Sequence, residues 1–241
     1  METHDEVLTR ELVRERVLAI KGKLRESALD SSNPPELLAV TKTQPISTVE
    51  MLPFDEIAGV GENRADETLR KYGRDWKKSR IHMVGRLQTN KVHSIIDRVS
   101  LVQSLDRVSL AEELDRCAGT SGLILDCLVQ VNIGRETQKG GVPPESTKET
   151  VRGFARYSNL RIVGLMAILP MTGSGSDGEL EGLRPMFREM RKLFTELREE
   201  AIPGTSFSVL SMGMSADSVI AAQEGATMVR IGSALFGARH G

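Results

Sequence analysis

Lys42 closes a short apolar run, Leu37–Leu38–Ala39–Val40–Thr41. The run reads as a buried parallel strand, and α/β folds place ligands outside the carboxyl ends of such strands. A lysine amine there can condense with an aldehyde to form an imine. By itself, a lysine after a strand is an ordinary solvated loop residue. Two other stretches change that reading. Ser211–Met212–Gly213–Met214–Ser215 and Gly232–Ser233 each end an apolar run directly before a helical pattern. Glycine lets a backbone approach a ligand closely, and free amides at a helix start bind anions. Taken one at a time, Ser215 and Ser233 are helix N-caps. Arg230 is a charge inside an apolar strand and needs a partner. That partner is either a carboxylate, such as Glu62 or Asp217, or an acceptor on a bound ligand. His82 alone reads as a hydrogen-bonded core histidine, and Asn63 and Asn132 as loop caps. No Ser-His-Asp order, metal-ligand spacing or nucleotide-binding glycine fingerprint appears. Glu62 has no second carboxylate to form a glycosidase pair.

The elements that must position these residues repeat one theme. An amphipathic helix is predicted over residues 5–29, and Pro34 and Pro35 end it. Strands are then predicted at 37–41, Phe54–Val60, Ile81–Val84, Val99–Leu105, Leu123–Val131, Leu160–Ile168, Phe207–Leu210 and Thr227–Ile231. Helices are predicted at Glu62–Tyr72, Gln88–Ile96, Ser109–Ala118, Glu145–Tyr157, Leu180–Glu200, Ala216–Glu224 and Ala234–Ala238. Eight strand-helix units without a hairpin signal imply a parallel sheet, and eight strands close a (β/α)8 TIM barrel. The expected fold is therefore α/β, a single-domain barrel over residues 1–241 with an extra N-terminal helix. A doubly wound open sheet is the alternative. Met171–Glu179, rich in glycine and serine, reads as a loop over the sixth strand, more an insertion than a lid.

Composition narrows the class. The 241 residues carry 32 basic and 33 acidic side chains, a net charge of −1, which gives no reason to expect nucleic acid or an anionic membrane as partner. Two cysteines, Cys117 and Cys127, make neither a metal spacing nor a disulfide framework, which fits a reducing compartment. No signal-like segment and no run of roughly 18 apolar residues appears. A cytoplasmic protein is expected.

An imine-forming lysine, a phosphate cradle and an arginine together suggest pyridoxal 5′-phosphate (PLP). Chemistry alone also admits a sugar-phosphate aldolase, which uses a lysine imine too. The motifs add to this. Ala39–Val40–Thr41–Lys42–Thr43, Gly61–Glu62–Asn63, HMVGRLQTNK from His82 to Lys91, Val131–Asn132–Ile133, Gly164–Leu165–Met166, LSMGMSAD from Leu210 to Asp217 and VRIGSALFGAR from Val229 to Arg239 occur in order. In these the chain resembles the pyridoxal phosphate homeostasis protein family, related to the amino-terminal barrel of alanine racemase. The resemblance implies PLP on Lys42, Arg230 facing the pyridine nitrogen, and Ser211, Gly232 and Ser233 holding the phosphate. Asn63, Met212, Gly213 and Met214 lie in the same motifs and are expected at the cofactor. Three positions depart from the family pattern: Gln44, Arg86 and Ala216.

A permanent cation beside the pyridine nitrogen disfavours its protonation, which makes the ring a poorer electron sink. Racemization needs an acid/base on each face of the substrate carbon. The only tyrosines, Tyr72 and Tyr157, fall in predicted helices, and no second base is apparent. The expectation is a PLP-binding protein serving cofactor homeostasis rather than an enzyme, a monomer with PLP-dependent apo-enzymes as partners. An amino-acid racemase-like enzyme is the alternative.

Overall fold

Alternation in the first strand shows how the barrel is built. In β1 (Glu36–Val40), Leu37 and Ala39 face outward into the large core beneath the helices, while Leu38 faces inward to Val84 and Met228. The computed structural model describes residues 8–77, 80–136, 138–170 and 176–237. The remaining strands are β2 (Gly59–Glu62), β3 (Ile81–Met83), β4 (Leu101–Leu105), β5 (Leu125–Val131), β6 (Leu160–Ala167), β7 (Thr205–Ser211) and β8 (Met228–Ile231). Each pairs in parallel with the next, and β8 pairs with β1, so the sheet closes in sequence order. This is the predicted barrel, and closure excludes the open sheet.

The helices are α1 (Arg10–Ser27), α2 (Ile46–Val49), α3 (Ala65–Lys71), α4 (Val92–Ile95), α5 (Val108–Thr120), α6 (Thr147–Phe154), α7 (Asp177–Glu181), α8 (Arg184–Glu200), α9 (Ser218–Gln223) and α10 (Ser233–Phe236). The N-terminal helix is present, shorter than the predicted 5–29, of which residues 5–7 lie outside the described residues: Thr9 caps it, accepting from Leu12 N at 3.2 Å, and Val13, Val17 and Leu24 are buried. It packs on α9 and α10, and Arg16 donates to the Leu235 carbonyl at 2.9 Å. The helix that follows β8 is thereby braced from outside.

Several boundaries differ from the sequence pattern. The apolar start of Phe54–Val60 is not strand; Phe54 turns out to pack edge-on against Trp76, with ring centroids 5.7 Å apart. Glu62 belongs to β2 rather than to the helix after it. The long Leu180–Glu200 helix is two, broken at Gly182–Leu183 ahead of Pro185, which lies in the first turn of α8. Of the predicted loop Met171–Glu179, residues 171–175 lie outside the described residues, and the remainder opens α7; Ala238 also lies outside them.

One glycine sets the shape of the barrel wall. Gly164 in β6 has φ +152°, and a Cβ there would lie 1.8 Å from the Val209 carbonyl oxygen. The β6–β7 register shifts at this point, so the backbones approach in a way only glycine permits.

Candidate functional site

β7, β8 and β1 are neighbours, so the turns that follow them share one rim of the barrel. β7 ends at Ser211, and Met214 N then donates to Asp217 Oδ1 at 2.6 Å, which folds the turn ahead of α9. Gly213 is in the left-handed region at φ +90°, and a Cβ there would lie 2.5 Å from the Ala221 methyl. Across from it, the Gly232 and Ala234 amides both point to Ser215 Oγ, at 3.3 and 3.4 Å. Two backbone N–H groups from one turn thus converge on an oxygen supplied by the other. Backbone amides that converge in this way are donors of the kind that anions accept from. Gly232 lies against β1 as well, its Cβ position 3.4 Å from the Val40 carbonyl oxygen. Lys42, two residues beyond Val40, is half-buried on the same rim.

The remaining predicted residues divide by the side of the sheet they face. Met212 is fully buried in the core between sheet and helices, and its amide donates to the Met228 carbonyl at 3.1 Å. Met214 is half-buried and Ser233 exposed. Asn63 follows β2, the strand on the other side of β1, where its backbone packs against Gly85. It borders an open cleft of about 790 Å³ lined by Arg64, Arg70, Arg86, Lys91 and Arg107.

Ser211 and Arg230 meet inside the barrel. Arg230 donates from Nη1 to Ser211 Oγ and from Nη2 to the Ala167 carbonyl, both at 2.7 Å. Ser211 Oγ in turn donates to Gln103 Oε1 at 2.7 Å, and Gln103 Nε2 reaches His82 Nδ1 at 3.1 Å. The direction of this string follows from its first member. A guanidinium only donates, so the serine must accept, and its proton goes to the Gln103 oxygen. The Gln103 amide nitrogen then faces His82, which must accept at Nδ1 and be neutral. Burial, with repulsion from Arg80, pushes the His82 pKa down to about 4. Arg230 is 4% exposed, and burial lowers its pKa to about 10 against an upward pull from Asp217, so it stays a cation at neutral pH. Glu62 lies on the outer side of the sheet and pairs with Lys71. Two of the five Arg230 donors are used by Ser211 and Ala167, which leaves the fork able to serve a further acceptor.

Residue type in the sequence pointed to His82 and Ser211 but not to Gln103. A glutamine in an apolar strand carries no periodic signal of its own. Among the described residues no group of histidine, cysteine and carboxylate side chains is placed to hold a metal ion, and no helix is long and apolar enough to cross a membrane.

Comparison with known proteins agrees with this architecture. The family described as alanine racemase, N-terminal domain, matches residues 19–240. The pyridoxal phosphate homeostasis protein of Aquifex aeolicus is 39% identical over 230 residues, covering 93% of this chain and 96% of that protein. The protein of the same name from Haemophilus influenzae is 34% identical over 218 residues, with 87% of each chain covered. The structure of PipY from Synechococcus elongatus with PLP bound superposes with a TM-score of 0.78 at 29% identity, covering 93% of this chain and all of that one.

Proposed function

This chain belongs to the pyridoxal phosphate homeostasis protein family, and from that membership we propose that it holds PLP on Lys42 and serves intracellular PLP homeostasis, as a buffer or a source for apo-enzymes. One observation carries the reading: a lysine, an anion cradle and a buried arginine occupy three adjacent strands at one rim of the barrel. The cofactor brings an aldehyde, a phosphate and a pyridine nitrogen. The residues present fit each of them. Gly232 N and Ala234 N, now turned to Ser215 Oγ, suit the phosphate together with the Ser211–Ser215 turn and Ser233. The unspent donors of Arg230 suit the ring nitrogen. The Lys42 amine suits the aldehyde, which it would hold covalently and keep from other cellular amines. Asn63, Met212, Gly213 and Met214 frame the same rim through their backbone and neighbours.

The reading as a binding protein rather than an enzyme rests on the acid/base inventory. Among the described residues, Tyr72 donates to Glu62 behind the sheet, and Tyr157 follows α6 on the far side from the rim. Burial, with the Glu62 charge, raises the Tyr72 pKa far above neutrality, so its proton is not available for exchange. Arg230, a cation at neutral pH, would disfavour protonation of a pyridine nitrogen held against it.

The test is the visible spectrum of the protein mixed with PLP, before and after borohydride, with peptide mapping of the reduced product. Imine absorption fixed on Lys42 and lost in Lys42→Ala is the expected result. An unchanged signal in that variant would remove the reading. Stereoinversion of amino acids that vanishes with Lys42→Ala would replace it with a racemase.

A further inference from the structure

The backbone on both sides of Lys42 is held by charged groups that lie behind the barrel wall. Thr41, Lys42, Thr43 and Gln44 form a reverse turn closed by Gln44 N donating to the Thr41 carbonyl at 3.0 Å. Its third residue, Thr43, sits at φ +66°, the left-handed region that a turn of type II requires at this position and that glycine normally fills. Threonine is β-branched and ill suited to it. The conformation persists only if its surroundings impose it.

Those surroundings are visible. Glu67 Oε1 accepts from Thr43 N at 2.5 Å, and Thr43 Oγ1 donates to the Lys42 carbonyl at 2.6 Å. On the other side, Lys71 Nζ donates to the Thr41 carbonyl at 2.7 Å and to Glu62 and Glu67, each at 2.8 Å. Thr41 Oγ1 and the Tyr72 hydroxyl both donate to Glu62 Oε1, at 2.7 and 2.8 Å. Glu62 is fully buried, and its second oxygen, Oε2, has no hydrogen-bond partner among the described residues. Buried charges of this kind are seldom the cheapest way to fill a wall, since apolar side chains of similar volume do as well or better. Their cost calls for a positional reason. Glu67 supplies part of one: hydrogen bonds from Lys71 and Thr43 overcome its desolvation and lower its pKa, so it is an anion at neutral pH.

We propose that Glu67, Lys71, Glu62 and Tyr72 form a clamp of positioning residues that forces the turn at Thr43 and so aims the Lys42 amine from the barrel wall at the aldehyde carbon. This rests on the cofactor reading above. The step it favours is an ordinary condensation. The lysine ammonium gives one proton to solvent, its nitrogen bonds to the aldehyde carbon, and its other two hydrogens leave with the aldehyde oxygen as water. The clamp touches neither reactant; it acts through the backbone of residue 42.

Glu67→Ala is the probing variant, because it removes the acceptor from Thr43 while Lys71 keeps Glu62 paired. Three measurements are compared with the unmodified protein: imine formation with PLP, binding of pyridoxine 5′-phosphate, and amide hydrogen exchange of the ligand-free protein over Lys42–Gln44. Pyridoxine 5′-phosphate carries an alcohol in place of the aldehyde and reports the cradle alone. Glu67→Ala is expected to weaken PLP binding roughly tenfold while leaving the alcohol within about twofold. Thr43 is solvent-exposed, so protection of its amide comes from Glu67, and exchange there is expected to rise by roughly tenfold or more. Glu67→Gln restores an acceptor and most of the effect. Thr43→Gly added to Glu67→Ala also recovers imine formation, because glycine adopts the turn unaided. Equal losses for both ligands, or no loss, would overturn the clamp. If the unmodified protein formed no imine, the cofactor reading would fall, and the exchange data alone would decide whether the turn is clamped.

Discussion

The buried string from Arg230 to His82 makes stability fall as the pH drops from about 6.5 to about 4. His82 is 3% exposed and accepts from Gln103, so an imidazolium there would lose water and set Nδ1–H against an amide N–H. Its pKa falls from 6.5 to about 4 in the folded protein. The unfolded chain therefore binds a proton that the native state refuses. The stabilisation is complete above the unfolded pKa, declines as pH falls from about 6.5 to about 4, and stays flat below. At about 1.4 kcal/mol per unit, the whole fall is worth about 3 kcal/mol, of which about 2 kcal/mol is lost by pH 5. The assay is urea unfolding of the wild type and of His82→Asn at about pH 8 and about pH 5. Asparagine offers Oδ1 to Gln103 and does not titrate. Titrating groups elsewhere are common to both proteins and cancel in the comparison. The wild type should lose about 2 kcal/mol more than the variant between the two pH values. Equal losses would refute both the neutral His82 and the direction assigned to the string.

Other perturbations test neighbouring parts of the argument. Ser211→Ala leaves Arg230 Nη1 and Gln103 Oε1 without their shared partner, so about 1–3 kcal/mol of stability is expected to go, with roughly tenfold weaker PLP binding. Competition by inorganic phosphate should be unaffected, because the Ser211 hydroxyl is already committed; weaker competition would place that hydroxyl at the phosphate instead. Gly164→Ala drives a methyl into the Val209 carbonyl and should cost about 2–3 kcal/mol or more in urea unfolding, whereas an unchanged midpoint would mean the β6–β7 shift tolerates a side chain. Lys71→Met strands Glu62 in the wall at a cost of about 3–5 kcal/mol, and Glu62→Gln in the same chain should return part of it. No recovery in the double variant would show that Lys71 acts by packing rather than by charge.

Eight apolar runs at regular spacing gave away the barrel, because a parallel strand buried on both faces must be apolar along its length. The end-of-strand lysine and the two glycine-serine turns were legible for a related reason. Strand ends are where the apolar pattern stops, so a polar residue there stands out. What the sequence could not show was direction. Ser211 and Ser215 are four residues apart in one turn and look equivalent as text. Only closure of the barrel turns the first inward to Arg230 and leaves the second facing the Gly232 and Ala234 amides. Glu62 looked like a partner for Arg230, yet a strand alternates its faces, and Glu62 emerges on the helix side, where Lys71 and Tyr72 meet it. Gln103 and His82 are 21 residues apart and Gln103 and Ser211 are 108 apart. Local pattern determines which residues are buried and which end a strand. Which buried polar groups share a hydrogen bond is fixed by register and closure, since these bring strands distant in sequence within reach of one another.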